Sequence, residues 1–330
     1  MLRLLKGFLW IAAALAIGWS ALALYYASGA PPGWARIALA LAPPLAAIVA
    51  AWRLRGFPAL IACAVIFAGV LTWWLSLKPS NDRHWQRDVA ELPYATFEGS
   101  KVTVHNIRDF AYRTETDFTP RYYSRTVDLN DIRTVDIVSV YWGGELIAHL
   151  FLSFGFEGGE QIAISIETRK EKSESYSTLA GFFRQYELVY VVGSERDLIG
   201  LRTNYRNPRE DVYVYRTRAT PLGARRLFLD YMKSINELLE HPEFYNTLTS
   251  NCTTVLAMHT EANPRPMPSS WKILASGLFA EYAYELGYLD DSIPFRELKQ
   301  RAHVNARANA AGTADDFSAQ IRAGLPVPKR

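Results

Sequence analysis

Three apolar runs fill the first ~78 residues of this chain, and a polypeptide that begins this way has to place them in a lipid bilayer. The first, Gly7 to Ala27, is broken only by Ser20 and closes on Tyr25 and Tyr26. The second, Ile37 to Trp52, is shorter and carries Pro43-Pro44, which predicts a kinked or shallow span. The third, Phe57 to Leu77, ends near Trp73-Trp74, a pair suited to the headgroup layer. None contains a charged residue, which buried helices of that length in soluble cores seldom achieve, and a cleaved secretory leader would explain one run but not three. Arg3 and Lys6 precede the first run, Arg53 and Arg55 separate the second from the third, and the loop from Ser28 to Trp34 is uncharged. That asymmetry predicts a cytoplasmic N-terminus and places everything after Lys78 on the far side of the membrane.

Roughly 250 residues remain outside the membrane section, enough for one large domain or two small ones. With 49% hydrophobic and 13% aromatic residues the chain can build a substantial core. A net charge of +3 without any block of like charges disfavours a nucleic-acid surface, because phosphate binding needs clustered Lys and Arg. The two cysteines are Cys63, inside an apolar run, and Cys252, alone in the soluble part. Neither an internal disulfide nor a cysteine-based zinc site is available to Cys252, and no metal motif occurs elsewhere. The expected organisation is a membrane domain over 1–78, a juxtamembrane linker and N-terminal extension over 79–134, and a thiol-enzyme domain over 135–330. Strand-like alternation at Lys101–His105, Asp136–Tyr141, Glu145–Phe156, Gln161–Arg169, Leu188–Gly193 and Val212–Arg216 accompanies helical spacing over Pro221–Leu239, a short helix at Ser177–Arg184, and a helix from about Asn251 to before Pro264. The class is α+β.

The arms Glu145–Phe156 and Gln161–Arg169 form a hairpin around Gly158-Gly159. Leu146, Ala148, Leu150, Leu152, Phe154 and Phe156 alternate on one arm, and Ile162, Ile164, Ile166 and Thr168 on the other. Putting both rows on one face requires opposed residue numbers to sum to an even value, which a three-residue loop with left-handed glycine supplies as 316 or 318. A sum of 316 sets His149 opposite Glu167 and Phe151 opposite Ser165. A sum of 318 sets His149 opposite Arg169. In both, His149, Ser165, Glu167 and Arg169 share the other face, which calls for a polar and specific cover.

Cys252 lies just inside a helix start that Asn251 or Ser250 can cap, where unpaired amides and the helix dipole favour a thiolate. From its own surroundings it is equally a nucleophile or a small buried hydrophobe. A base decides between these. Among His84, His105, His149, His241, His259 and His303, His259 sits about 10 Å along the helix from Cys252, too far to take its proton. His149, mid-strand with Glu167 across the ladder, is the candidate base, and Glu167 would hold its tautomer.

The stretches His149-Leu-Phe-Leu-Ser-Phe-Gly-Phe156, Ile164-Ser-Ile-Glu-Thr-Arg169, Tyr245-Asn-x-Leu-x-x-Asn-Cys-Thr-Thr254 and Phe317-Ser-x-x-Ile-Arg322 together resemble the Lnb-type periplasmic domain family, over roughly Asp136 to Leu325. That family's namesake is a lipoprotein transacylase, which moves an acyl chain onto the amino group of a lipid-bearing N-terminal cysteine. The resemblance implies a permuted papain-like (NlpC-like) fold, in which the histidine strand precedes the cysteine helix. It implies Cys252 as nucleophile and His149 as base, with Glu167 third. Asn251, Ser165 and Arg169 are candidates for oxyanion or substrate support. No cofactor or metal is implied, and the partner would be a membrane lipid or lipoprotein. The location would be the bacterial inner membrane, multi-pass, with a periplasmic C-terminal domain. A peptidase or amidase acting on cell-wall peptides, and a non-catalytic membrane-anchored binding module, are the alternatives.

Overall fold

The computed structural model describes residues 2–27, 29 and 33–328. Chain contacts divide it into one unit of Met1–His84, Lys170–Glu187 and Glu243–Thr247, and a second of Trp85–Arg169, Leu188–Pro242 and Leu248–Arg330. In the first unit the apolar runs are three helices, α1 (Leu2–Ala27), α2 (Trp34–Leu54) and α3 (Gly56–Ser76), each long and apolar enough to cross a membrane. The expected kink is not a break: α2 continues through Pro43 and Pro44.

The second unit is built on an eight-stranded sheet. Its strands are β1 (Tyr94–Glu98), β2 (Lys101–Arg108), β5 (Tyr122–Asp128), β6 (Ile132–Tyr141), β7 (Ala148–Phe156), β8 (Gln161–Arg169), β9 (Glu187–Gly193) and β10 (Asp211–Arg216), with a separate two-residue ladder of β3 (Ala111–Tyr112) and β4 (Phe118–Thr119). The order is β1-β2-β9-β8-β7-β6-β10, with β5 also paired to β2. Three strands of this sheet thus come from the 79–134 stretch. The helices are α4 (Glu195–Gly200), α5 (Pro221–Glu240), α6 (Cys252–His259), α7 (Trp271–Leu274), α8 (Phe279–Glu285), α9 (Phe295–Ala302), α10 (Asn305–Ala311) and α11 (Phe317–Ile321). Ser177–Arg184 contains only a 3₁₀ turn, Ala180–Phe182.

The hairpin takes the 316 register, with Phe151 opposite Ser165 and Leu152 opposite Ile164. Gly158 and Gly159 both have φ of 88°, a conformation open to glycine, and the three-residue loop between Phe156 and Glu160 follows from it. Glu145–Ile147 is not part of the strand; it forms a loop whose Leu146 carbonyl accepts the Gly277 amide at 3.0 Å. A Cβ on Gly277 would lie 2.1 Å from the Glu145 carbonyl oxygen, so only glycine permits this approach.

The even-numbered face is buried beneath α5. Thr220 caps that helix by accepting from the Gly223 amide, Pro221 opens its first turn, and Leu227, Phe228, Tyr231 and Ile235 recur at helical spacing on its inner side. Phe228 meets Phe154 and Phe156 edge-on at 5.2 and 5.5 Å. The odd-numbered face departs from expectation. Its cover is mostly aliphatic, with Phe151, Ala163, Val138 and Val140 packed against Leu198, Ile199 and residues of α10 and α11 such as Ala308, Phe317 and Ile321. Polar groups enter at defined places. One is Arg322, which donates to Asp136 at 2.7 Å and to Glu195 at 2.5 Å, while Ser153 also donates to Glu195 at 2.6 Å.

Arg322→Met is expected to lower stability by about 3–5 kcal/mol, because two buried carboxylates lose their shared cation. Arg301→Ala, which breaks an exposed pair with Glu297, should change it by less than about 1 kcal/mol. Denaturant unfolding of the purified protein checks both, and equal effects would contradict this account of the odd face.

Candidate active site

The ladder between β7 and β8 runs from Gly155–Gln161 to Phe151–Ser165. Beyond that pair lie His149 and Glu167, and there the Leu150 amide serves the Cys252 sulfur. Alternation along β7 and β8 puts the side chains of His149, Ser165 and Glu167 on one face. His149 Nε2 lies 2.6 Å from Ser165 Oγ and 3.0 Å from Glu167 Oε1, and Ser165 Oγ donates to the same Glu167 oxygen at 2.7 Å. The Cys252 sulfur neighbours this imidazole closely enough that each shifts the other's titration. The structure therefore brings Cys252, His149, Glu167 and Ser165 together within the second unit.

The position of Cys252 comes from local sequence. Asn251 has extended backbone angles and its side-chain oxygen accepts from the amides of Thr253 and Thr254, both at 2.9 Å; Thr254 Oγ1 reciprocates by accepting from the Asn251 amide. This capping box starts α6 at Cys252. It also changes the role open to Asn251. Its carbonyl oxygen is occupied as a cap, and it takes up two of the helix-start amides that were candidates for an oxyanion. The cap does not engage the Cys252 amide.

Ser165 links His149 and Glu167 through its hydroxyl. Arg169 does not join the cluster and is not solvated. It is buried, donates to the carbonyls of Val89 and Ala90 at 3.0 and 2.8 Å, and stacks over Trp85 at 4.2 Å.

Burial works against charge on every member of the cluster, raising the thiol and lowering the imidazole, but the neighbouring charges outweigh it. Glu167 and the sulfur push His149 up to about 9. The imidazolium and its hydrogen bond, with the Leu150 amide, hold Cys252 below its ordinary value. His149 and then Arg202 hold the Glu167 carboxyl well below the usual range. The His149 and Cys252 shifts both favour a thiolate beside an imidazolium.

Arg202 is the participant that sequence reasoning missed. It is buried, donates through Nη2 to Glu167 Oε1 at 2.9 Å and through Nη1 to the Leu198 carbonyl at 2.8 Å, and lies over the Phe151 ring at 5.4 Å. It sits in a π-helical turn, Leu201–Tyr205, directly after α4. Such turns gather at functional sites, but nothing in the local sequence announces one.

His259 has its own partners. It lies 2.7 Å from both Asp230 Oδ2 and Tyr190 Oη and stacks on Tyr231 at 3.8 Å, a buried cluster two turns along α6 from the thiol.

Two outcomes are expected from alkylation with iodoacetamide, read at Cys252 by peptide mass. The wild-type rate profile should be centred below that of an ordinary thiol; His149→Ala removes the cation that opposes burial and should slow alkylation at pH 7 about tenfold or more. In Arg202→Met the Glu167 carboxyl rises, so the ion pair is lost at higher pH and the acid limb of the profile moves up. A profile centred on an ordinary thiol in the wild type would contradict the ion pair.

Residues 118–277 match the sequence model of the Lnb N-terminal periplasmic domain family, a span that holds Cys252, His149, Ser165, Glu167 and Arg202 and stops short of α8–α11. No curated protein and no solved structure matches the chain. With its three apolar helices, the chain has the make-up of a membrane-anchored protein with a periplasmic domain.

Proposed function

We propose that this chain, whose residues 118–277 match the Lnb N-terminal periplasmic domain family, is a thiol-dependent acyltransferase or hydrolase of the bacterial inner membrane, acting on a lipid ester at its outer surface. The observation that carries the reading is the hydrogen-bonded series Glu167–Ser165–His149–Cys252, with the thiol at a helix start. An inert buried cysteine has no use for a paired base and carboxylate.

In the proposed reaction, the Cys252 thiolate adds to an ester carbonyl, and the oxyanion is met by the Cys252 amide at the positive end of α6. Collapse breaks the ester C–O bond, and His149 gives its proton to the departing alkoxide, leaving an acyl thioester and a neutral imidazole. An amine or water then attacks the thioester while His149 takes its proton, and the thiolate leaves to restore the ion pair. Glu167 stabilises the imidazolium at both ends of the cycle, and Arg202 keeps Glu167 ionised. An amine acceptor makes the enzyme a transferase, and the family's association with lipoproteins favours the amino terminus of a lipoprotein.

Incubation of the full-length protein in lipid vesicles with a diacylated lipopeptide, scored by mass, tests this directly. The wild type should move an acyl chain to the peptide amine or release it, and Cys252→Ala should lose the activity about 10³-fold or more. Undiminished activity in Cys252→Ala, or peptide-bond cleavage with the acyl chains untouched, would overturn the proposal; the latter points to a cell-wall peptidase.

A further inference from the structure

Segment Lys170–Glu187 belongs to the same unit as the three apolar helices. Its attachment to them is specific. Trp74 Nε1, in the last turn of α3, donates to the Phe183 carbonyl at 3.3 Å. The Phe183 ring stacks on Tyr26 of α1 at 5.7 Å and tilts against Trp19 at 6.1 Å. Arg184 donates to the carbonyls of Trp74 and Leu75 at 3.0 and 3.3 Å and lies over the Trp74 ring at 4.1 Å, so its cation caps the negative end of α3. It does so with a φ of 59°, a conformation that a bulky side chain adopts only when its surroundings impose it.

The depth of this attachment follows from helix length. At ~1.5 Å per residue, the 21 residues of α3 span about 31 Å, which matches a hydrocarbon core of ~30 Å. With α3 taken as a span, Ser76 marks the outer edge of the hydrocarbon and Trp74 lies about 3 Å inside it. Phe183, bonded to Trp74 and packed on Trp19 and Tyr26, is at that depth as well.

The other side of the segment is held by Glu243–Thr247. Thr247 donates from its amide to the Gly181 carbonyl at 3.3 Å and from its hydroxyl to the Thr178 carbonyl at 2.8 Å, and a Cβ on Gly181 would lie 2.3 Å from that hydroxyl. Between these two attachments the strap presents large apolar side chains outward: Leu179 is 55% exposed, Tyr176 50% and Phe182 38%. A water-facing loop would not expose them together beside a membrane helix.

We propose that Tyr176–Arg184 is a lipid-inserting strap, with Leu179 and Phe182 among the acyl chains of the outer leaflet and Arg184 at the level of the lipid phosphates. Its occupant is phospholipid, because Phe183 and Arg184 fasten the segment to the end of α3 at the hydrocarbon boundary and its exposed side chains there are large and apolar. The proposal rests on α3 as a span and not on the chemistry at Cys252, so the acyl-transfer test can fail without touching it.

The test uses full-length protein with Cys63→Ala and Cys252→Ala as background, carrying Leu179→Cys or Phe182→Cys bimane-labelled at the new thiol in phosphatidylcholine bilayers, with the exposed site Glu98→Cys as control. Lipid carrying a nitroxide near the headgroup should remove most of the emission at 179 and 182 while aqueous iodide has little effect, and Glu98 should show the reverse. Iodide quenching at 179 and 182 equal to that at the control would overturn the proposal by placing the strap in water. Protection from both quenchers would also overturn it, since a second protein surface would then be the cover.

Discussion

The register of one hairpin governs the candidate site. Because side chains alternate with a period of two along a strand, the pairing of Phe151 with Ser165 decides that His149 and Glu167 emerge on the same side and that Leu150, Leu152, Ile164 and Ile166 emerge on the other. A slip of one residue would exchange the two sets, sending an imidazole and a carboxylate beneath α5 and an aliphatic row into their place. The register is enforced twice, by the apolar row against Phe228 and by a loop whose two glycines occupy positive φ. Catalytic geometry and core formation are here the same constraint.

Given that geometry, the electrostatics follow from alternation of sign. Imidazole, carboxylate and guanidinium succeed one another within hydrogen-bond reach, and the sulfur and imidazole shift each other toward thiolate and imidazolium. Burial opposes each charge singly, yet the pairs sustain one another. Glu167 remains partly open, with its side chain 28% exposed, so solvent screens the outer end of the series while Arg202 at 4% is shielded.

Much of this was legible in sequence because it rests on local rules. The period-two pattern placed His149 and Glu167 together, and Asn251 before Cys-Thr-Thr marked a helix start whose capping box the structure contains. What was not legible depends on long-range packing. Arg202 is 35 residues from Glu167 and reaches it only because α4 ends in a π-helical turn over Phe151. The burial of Arg169 is of the same kind, since Trp85 and two carbonyls from a segment read as linker enclose it. The aliphatic cover of the odd face comes from the short helices α10 and α11, whose few apolar residues show little periodicity alone.

The stretch from Ser194 to Tyr205 ties these features together. Its Glu195 accepts from Arg322 at the C-terminal end of the chain, and its Asp197 accepts from Arg108 on β2 at 2.8 Å and from the Phe110 amide at 2.7 Å. Its Arg202 donates to Glu167. Three buried charges within eight positions thus connect the C-terminal helices, the strands nearest the membrane section in sequence, and the proposed catalytic carboxylate. Because α4 is capped by Ser194 and packed through Leu198 and Ile199 into the odd-face core, movement at any of these attachments bears on the others. The C-terminal helices lie outside the matched family span, and this element joins them by buried ion pairs to a site they do not contain.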